Sequence, residues 1–265
     1  MNVDPHEIQK FESLAQRWWD PDGEFRPLHD INSTRLKYID DRAAVAGLRV
    51  LEVGCGGGIL TQSLAELGAV TTGIDVASGP LKVARLHAIE TQMCEKIRYI
   101  ETTAESFAEV EPESFDVVAA LEMLEHVPDY RSTVSALAKL TRPGGTVFLS
   151  TINRNAKAYV MAVLGAEYVL NLLPRGTHDY DKFIKPSELA GAARDAGLLV
   201  KDISGYSYNP LTRGCKLVTN PSVNYLVHAQ KPKPLPSTLW HHESRQDHHP
   251  RRRKDLLVTI DFWRR

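Results

Sequence analysis

A glycine-rich turn between a short apolar strand and a helix is the feature of this sequence that most constrains its fold. Residues 54–58 read Gly-Cys-Gly-Gly-Gly, the largely apolar run Leu48–Val53 precedes them, and a helical pattern follows over 59–67. Glycine lets the backbone turn sharply and lets a ligand approach closely, and the start of a helix offers unpaired N–H groups. This unit predicts a parallel α/β sheet with a ligand site at the turn.

The same alternation of strands and helices continues along the chain. Such alternation places the strands in a parallel sheet and the helices on both of its faces. We therefore predict an α/β, Rossmann-like fold with a mostly parallel sheet of seven strands. The strands are predicted at 48–53, 69–74, 97–101, 115–121, 146–151, 198–205 and 222–229, and the helices between them at 59–67, 80–91, 130–140 and 187–196.

The chain divides into a helical N-terminal cap, a central domain and a basic tail. The cap begins at Asp4, a favourable capping residue for a helix that has Pro5 in its first turn, and a second helix is predicted over 33–46. The tail opens with a proline-rich run and is predicted to be disordered. The predicted boundaries are 1–46 for the cap, 47–231 for the central domain with an insertion at 154–185, and 232–265 for the tail.

The near-neutral charge of the chain is a cancellation between two of these parts. The whole chain has 32 Lys and Arg against 33 Asp and Glu, a formal net charge of −1. The tail holds eight of the cations and four of the acids, so the rest of the chain is acidic. This balance argues against nucleic acid as a partner. Three scattered cysteines, no signal peptide and no membrane-spanning stretch predict a cytoplasmic protein.

Two acidic residues near the glycine-rich turn indicate which cofactor it binds. A dinucleotide-binding fingerprint requires glycine at position 59, where this chain has Ile59. Glu52, just before the first glycine, would repel a pyrophosphate and suits a cationic amino group instead. Asp75 follows the second strand, where a carboxylate binds ribose hydroxyls. We therefore predict an S-adenosylmethionine (SAM) site that contains Glu52, Gly54, Gly56 and Asp75. The alternatives are an NAD-binding oxidoreductase and a structural turn with two surface acids.

Several motifs together resemble class I SAM-dependent methyltransferases. Besides the glycine-rich turn and the acid after the second strand, they are Thr103–Glu105, Phe115–Val118 and Arg142–Gly145. Further blocks are similar to one family within this class, the bacterial ubiquinone-biosynthesis O-methyltransferases, and the similarity covers about residues 3–231. These blocks are Arg17–Asp20, Gly23–His29, Ile31-Asn32, Arg85–Ala88, Glu122–Pro128, Ser150–Asn155, Gly176–Asp179, Lys182–Pro186 and Asn224-Tyr225. The basic tail departs from the family pattern.

The resemblance implies a fold, a reaction and a set of cofactor contacts. The fold is that of class I methyltransferases, whose last strand is antiparallel. The reaction is methyl transfer from SAM to the phenol and catechol hydroxyls of polyprenylated ubiquinone precursors, at both O-methylation steps. A methyltransferase for another small phenol or lipid, and a non-catalytic SAM-binding or lipid-binding module, are the alternatives. The cofactor contacts that the resemblance and the motifs assign are Arg35, Glu52, Gly54, Gly56, Asp75, Ala104, Glu105 and Leu121.

Three potential ligands, Glu122, Glu125 and His126, lie within five residues after the fourth strand. Ligands bind outside the carboxyl ends of parallel strands, so this acid–histidine cluster is expected at the mouth of the cofactor site. Mg²⁺ prefers one or two carboxylates plus oxygens of water and substrate, and the resemblance also implies a magnesium site with these three ligands. We predict Glu125 and His126 as catalytic, with His126 as the base for a phenolic proton. The alternative is a helix start that favours Glu, with His126 packed or hydrogen-bonded.

The insertion contains an unusually apolar run, residues 157–173, with a single acid, Glu167, and basic flanks such as Arg154 and Arg175. The run is too short to span a bilayer, but an interfacial helix with cationic ends can lie among anionic lipid headgroups. The resemblance implies peripheral association with the inner membrane, where the polyprenylated substrate resides and other ubiquinone-biosynthesis enzymes are potential partners. The alternative is a lid over the substrate or a contact between copies of the chain.

Overall fold

The computed structural model describes residues 2–160 and 180–234. Most of the apolar run 157–173 and of the tail 232–265 therefore lies outside the described residues, and the predictions made for these two segments stay predictions. The compact unit that holds the predicted central domain ends at Lys233. None of the described helices combines the length and the apolarity that a membrane span needs.

Two helices joined by a 3-10 turn precede the first strand. α1 spans Pro5–Leu14, and as predicted the Asp4 side chain caps it by accepting a backbone hydrogen bond of 3.0 Å. The 3-10 turn is Ala15–Arg17, and α2 is Arg26–Ala43. α2 begins before the predicted position because Pro27 lies in its first turn, where a missing backbone N–H is tolerated.

The rest of the described chain alternates between strands and helices. The strands are β1 (Arg49–Val53), β2 (Val70–Asp75), β3 (Ile97–Glu101), β4 (Phe115–Leu121), β5 (Thr141–Ile152), β6 (Leu199–Asn209), β7 (Gly214–Val218) and β8 (Asn224–Gln230). The helices are α3 (Ile59–Glu66), α4 (Ser78–Glu90), α5 (Ala104–Val110), α6 (Tyr130–Leu140), the short α7 (Ala156–Ala158) and α8 (Pro186–Asp195), with 3-10 turns at Leu124–His126 and Tyr180–Lys182.

All of these strands belong to one sheet, in the order β3-β2-β1-β4-β5-β8-β6-β7. β1 to β5 pair in parallel, and β8 lies antiparallel between β5 and β6. This confirms the predicted Rossmann-like α/β fold with an antiparallel last strand. Val53 of β1 lies opposite Ile74 of β2, and Glu52 lies opposite Ala119 of β4. The carboxyl ends of these strands therefore meet at one edge of the sheet.

The predicted number of strands, seven, is wrong by one. The additional strand is β7, which pairs antiparallel with β6 at the sheet edge, with Gly205 opposite Val218. Its residues are exposed or half-buried, so the strand carries no apolar pattern that would reveal it in the sequence. A second difference concerns the start of the fifth strand, which is predicted at 146, whereas β5 begins at Thr141 and includes the motif Arg142–Gly145. The pairing of β5 with β4 shifts in register across this segment.

Apolar residues form a core on each face of the sheet, because successive side chains of a strand point to opposite faces. In β1, Leu51 packs into a cluster that contains residues of α5, α6 and α8. Its neighbour Val50 packs into a second cluster with residues of α2 and α3. Both side chains are almost fully buried. Helices on both faces therefore hold the strand ends in place from two sides.

Candidate active site

A cavity opens at the sheet edge where the carboxyl ends of β1, β2 and β4 meet. This is the edge at which open α/β sheets bind ligands. Its walls come from the segments that follow these strands and from α1. The structure thus brings together all of the predicted site residues except Glu125. Those at the cavity wall are Arg35, Glu52, Gly54, Gly56, Asp75, Ala104, Glu105, Leu121, Glu122 and His126.

The glycine-rich turn forms one wall of this cavity and has no room for a side chain at Gly54 or Gly56. Gly54 and Gly56 have positive φ values of 72° and 50°, a conformation that favours glycine. A Cβ atom on Gly54 would lie 2.8 Å from the Cβ of Met123, and one on Gly56 would clash with the ring of Trp18. The turn is therefore held between Met123 on one side and Trp18 on the other.

Asp75 lies at the end of β2 and holds the glycine-rich turn in place. Its carboxylate accepts the backbone N–H of Gly56 on Oδ2 (2.8 Å) and that of Ala77 on Oδ1 (2.9 Å). Burial raises the pKa of this carboxyl, although the two N–H donors oppose the rise. Each carboxylate oxygen has a second lone pair, so the group can also accept hydroxyl donors from a ligand in the cavity.

Glu52 and Arg35 lie at the base of the cavity, and each is more than nine-tenths buried. The Glu52 carboxylate accepts a short hydrogen bond from the hydroxyl of Thr61, and burial raises the pKa of Glu52 to about 7. The Arg35 guanidinium donates to the Leu28 carbonyl and to Asn32 Oδ1, both at 3.3 Å. Within residues 2–160 and 180–234, its Nε has no hydrogen-bond partner.

A buried guanidinium N–H without a partner is costly, so the Nε of Arg35 marks a place for an acceptor. SAM carries a carboxylate, a cationic amino group and two ribose hydroxyls. Arg35, Glu52 and Asp75 line this cavity. The guanidinium can donate to the carboxylate of SAM, and the two acids can accept from its amino group and its ribose hydroxyls. The residues present therefore fit the predicted cofactor.

The structure gives Glu105 a different environment from the predicted cofactor contact. Its Oε1 accepts the side chains of Asn2 (2.9 Å), Ser132 (3.2 Å) and Thr133 (3.2 Å). The carboxylate therefore ties the start of the chain to α6 while lying at the cavity wall. Leu121, at the end of β4, is buried as expected for an apolar contact.

The acid–histidine cluster is not arranged as the predicted magnesium site. Glu122 accepts the hydroxyls of Ser150 and Tyr206, whereas Glu125 accepts Thr151 Oγ1 (2.8 Å). His126 turns to α1 instead, with Nδ1 at 3.0 Å from Glu7 Oε2. In residues 2–160 and 180–234, no group of three or more His, Cys, Asp and Glu side chains is placed to hold a metal ion. These side chains do not fit a metal as they stand, because each carboxylate and the imidazole has a separate protein partner.

Glu125 differs from the other members of the cluster because it is buried away from the cavity wall. Burial, together with the nearby carboxylate of Glu122, raises its pKa to about 8. Among the described residues, Glu125 is not one of those that line this cavity.

Sequence reasoning did not identify the part of the cavity wall that α1 supplies. Asn2, Asp4, Glu7, Ile8 and Phe11 all line the cavity. The helical pattern reveals the apolar face of α1, but His126, which bonds Glu7, and Lys182, which bonds Asp4, lie more than a hundred positions away. Another histidine, His29, is not among the residues that line this cavity, and one of its ring nitrogens bonds the Trp18 carbonyl at 2.9 Å.

Comparisons with known proteins agree with this geometry. A family model described as a methyltransferase domain matches residues 29–202. The solved structure of magnesium protoporphyrin IX methyltransferase from Synechocystis PCC 6803, with bound SAH, shares the fold with a TM-score of 0.64. The two chains are 17% identical, and the match covers 86% of this chain and 100% of the other.

Two relatives are much more similar in sequence. A protein of Saccharophagus degradans named ubiquinone biosynthesis O-methyltransferase is 57% identical over 232 residues, covering 87% of this chain and 98% of the relative. A protein of the same name from Pseudomonas paraeruginosa is 59% identical over 230 residues, with the same coverage of both chains. The chain therefore belongs to the ubiquinone biosynthesis O-methyltransferase family of class I methyltransferases.

Proposed function

We propose that this protein transfers the methyl group of SAM to a phenolic hydroxyl of a polyprenylated ubiquinone precursor, at both O-methylation steps. The observation that carries the proposal is a single cavity that unites the glycine-rich turn, the unpartnered Nε of Arg35 and the imidazole of His126. The names of the relatives support the substrate class.

The sheet side of the cavity holds the cofactor in this proposal. Arg35 Nε donates to the carboxylate of the methionine moiety, which gives the buried guanidinium its missing acceptor. Glu52 attracts the amino group, and Asp75 accepts the ribose hydroxyls while keeping its bonds to the turn. Leu121 and Ala104 supply apolar contact at the ends of β4 and β3.

The chain's own contribution to the chemistry is small, because the sulfonium of bound SAM supplies a methyl group that is already activated. The protein has to align a phenolic oxygen with that methyl group, exclude water and remove the phenolic proton. His126 is the base in this proposal, since it lies at the cavity wall and an imidazole can accept a proton near neutral pH. Glu125 is not assigned this role because it does not reach the cavity.

No step is assigned to magnesium, because Glu122, Glu125 and His126 bond to separate protein partners. The prediction of a magnesium requirement stays open to a chelation experiment. Loss of turnover in EDTA, with full recovery on addition of MgCl₂, would show that these side chains regroup round a metal during turnover. Equal turnover with and without EDTA would remove magnesium from the account.

The proposal includes peripheral contact with anionic lipid of the inner membrane, on its cytoplasmic side. It is supported by the apolar run 157–173 and by the polyprenyl chain of the proposed substrate. Vesicles containing phosphatidylglycerol should retain the full chain in a flotation assay, and deletion of 158–173 should release it. Deletion of 235–265 is the control and should leave retention unchanged. Release by the control deletion would assign the contact to the basic tail instead. No described contact bears on other ubiquinone-biosynthesis enzymes as partners.

The function is tested by incubating the full chain with SAM and a short-chain demethylubiquinol. The expected products are the methoxy compound and S-adenosylhomocysteine in equal amounts. Calorimetric titration with SAM and with NADH separates the oxidoreductase alternative, since only SAM is expected to bind. Binding of SAM without methyl transfer to any catechol would contradict the proposal and favour a non-catalytic module.

A further inference from the structure

Three of the sequence blocks that resemble the family meet around the side chain of Trp19. Trp19 belongs to the block 17–20, and its indole stacks on the imidazole of His87 from the block 85–88. The two ring centroids are 3.5 Å apart and the planes are within 4° of parallel. His29, from the block 23–29, meets the indole edge-on, with centroids 5.7 Å apart. These three rings are not among the described residues that line the cavity, so their convergence is not a direct contact with a ligand there.

Trp19 hydrogen-bonds the glycine-rich turn at a residue that is not part of the cavity wall. Its indole Nε1 donates to the carbonyl of Gly57 at 2.9 Å, across 38 positions of the chain. Gly57 is buried, and buried backbone carbonyls are almost always paired. Gly54 and Gly56 of the same turn line the cavity. Trp19 therefore holds the turn at one residue, while the neighbouring residues are left for a ligand.

The preceding side chain, Trp18, fills the space beside two glycines of the turn. A Cβ atom on Gly56 or on Gly57 would clash with the Trp18 ring. Gly57 is not among the residues with a positive φ, so the ring of Trp18, rather than the backbone conformation, requires glycine at this position. The two consecutive tryptophans thus grip the turn, one through ring packing and the other through an N–H.

His87 fixes the plane on which the indole of Trp19 stacks. Its Nδ1 lies 2.6 Å from Oε1 of Gln62, a side chain that is more than nine-tenths buried. The Gln62 amide in turn donates to Glu66 at 3.1 Å. Gln62 and Glu66 belong to α3, which follows the glycine-rich turn, whereas His87 belongs to α4, which follows Asp75. The stack therefore braces the turn against the two helices that follow the cofactor-binding segments.

We propose that Trp19 is a positioning residue for cofactor binding, which holds the glycine-rich turn in its SAM-binding conformation through the Gly57 carbonyl. The stack on His87 keeps the indole N–H aimed at that carbonyl. The inference rests on the proposed function in one respect, that SAM binds at this turn. Because Trp19 acts through the turn, its loss should weaken SAM binding and leave the methyl transfer of the bound cofactor intact.

The first test compares Trp19→Phe with Tyr208→Phe in the full chain. Trp19→Phe keeps an aromatic ring for His87 but removes the N–H, and the Kd for SAM should rise about 10-fold by calorimetry, the scale of one lost hydrogen bond to a buried group. At saturating SAM, kcat should stay within about twofold of wild type. Tyr208→Phe also removes one aromatic donor, whose 2.6 Å bond to Asp30 ties β6 to α2, and its Kd should stay within about twofold. Equal Kd values in the two variants would overturn the proposal, as would a fall in kcat as large as the rise in Kd.

A spectroscopic measurement tests the same inference in the wild type. The indole N–H signal of Trp19 is assigned through the backbone of residues 18–20 in ¹H–¹⁵N NMR spectra and followed during titration with SAM. We expect the signal to shift, and the exchange of this N–H with solvent to slow at least about threefold, because the cofactor and the indole hold the same turn. An unchanged shift and exchange rate at saturating SAM would overturn the role of Trp19.

A double-mutant comparison tests the contribution of the stack. His87→Leu keeps the indole N–H but removes the flat ring beneath it, and the Kd for SAM should rise about threefold. Combined with Trp19→Phe, it should raise the Kd by less than the product of the two single effects, since both act through one contact. A rise equal to that product would overturn the part assigned to the stack. Failure of SAM to bind the wild type would instead contradict the proposed function, whereas tight binding with wild-type affinity in Trp19→Phe would overturn only the role of Trp19.

Discussion

The two walls of the cavity are built in different ways. On the sheet side, Glu52 lies near the end of β1, the glycine-rich turn follows that strand, and Asp75 ends β2. The hydrogen bonds of these two acids to the hydroxyl of Thr61 and to the backbone of Gly56 span only nine and nineteen positions of the chain. On the α1 side, Glu7 bonds His126 across 119 positions of the chain. The positions of the residues in the sheet wall therefore follow from local sequence and from the core that packs against the sheet. The α1 wall forms only when α1 packs against the rest of the fold.

The acids of the two walls also differ in charge state. Glu52 is buried among few donors, and burial raises its pKa to about 7. Glu7 faces His126, Lys10 and Lys182, and its pKa is lowered to about 2 chiefly by the hydrogen bond from His126. We therefore expect the free energy of unfolding to depend on pH with opposite signs at the two walls. We also expect substitutions in the sheet wall to change cofactor binding, and substitutions in the α1 wall to change turnover.

The largest effect is expected for the sheet wall on replacement of Asp75 by alanine. The variant loses two charged hydrogen bonds to the ribose, each worth about 2 kcal/mol, and it releases the N–H of Gly56. The Kd for SAM should rise about 1000-fold by calorimetry. Asp116→Ala is the control, because this acid lies at the opposite end of its strand and bonds Arg49 and Arg142. An unchanged Kd in Asp75→Ala would refute the ribose assignment.

A smaller loss of cofactor binding is expected for Arg35→Met. One charged hydrogen bond to the methionine carboxylate is worth about 2 kcal/mol, or about 30-fold in Kd. Arg42→Met is a matched control on the same helix, because Arg42 pairs with Asp202. Equal Kd values for SAM in the two variants would show that the Nε of Arg35 does not meet the cofactor.

Glu52→Gln should reveal the sign of the pH dependence on the sheet wall. The pKa of Glu52 is about 7 in the folded chain and 4.5 in the reference state, so the folded state binds the proton more tightly. The stabilisation of the fold by this bound proton is fully present below pH 4.5 and is lost as the pH rises through 7. The free energy of unfolding of wild type relative to Glu52→Gln should fall by about 2 kcal/mol between pH 5 and 8. Urea titrations that give a constant or rising difference would contradict the assignment of Glu52 as an acid whose pKa is raised by burial.

The smallest effect on the free energy of unfolding is expected for Glu7 in the α1 wall. Its pH dependence has the sign opposite to that of Glu52. The depressed pKa of Glu7 stabilises the fold above pH 4.5, and this contribution is lost as pH falls towards 2. The advantage of wild type over Glu7→Met in free energy of unfolding should shrink by about 1 kcal/mol between pH 5 and 3, since the pair is partly solvated. An advantage that grows on acidification would show that Glu7 is not ionised in the fold.

The same contrast explains what could be predicted from the sequence. The glycine-rich turn, Asp75 and the β-strands beside them are local patterns, so their positions and their meeting at one sheet edge follow from the order of elements. β7 is an exposed edge strand without an apolar alternation, and only its pairing with β6 defines it. The Glu7–His126 bond joins two distant segments, and at the level of one sequence Glu7 is merely an acid in the first turn of a helix. The partners of the three predicted magnesium ligands could not be predicted for the same reason, because spacing along the chain does not say which protein group each side chain bonds.

In the proposed function the two walls serve one reaction, with the cofactor on the sheet side and His126 acting from the side that α1 holds. The most direct test is a single-turnover assay with SAM-saturated wild type and His126→Ala on a short-chain demethylubiquinol. We expect methoxy product from wild type and a rate at least about 100-fold lower in His126→Ala, the scale of a lost general base, with an unchanged Kd for SAM. Equal rates in the two proteins would contradict this role of His126.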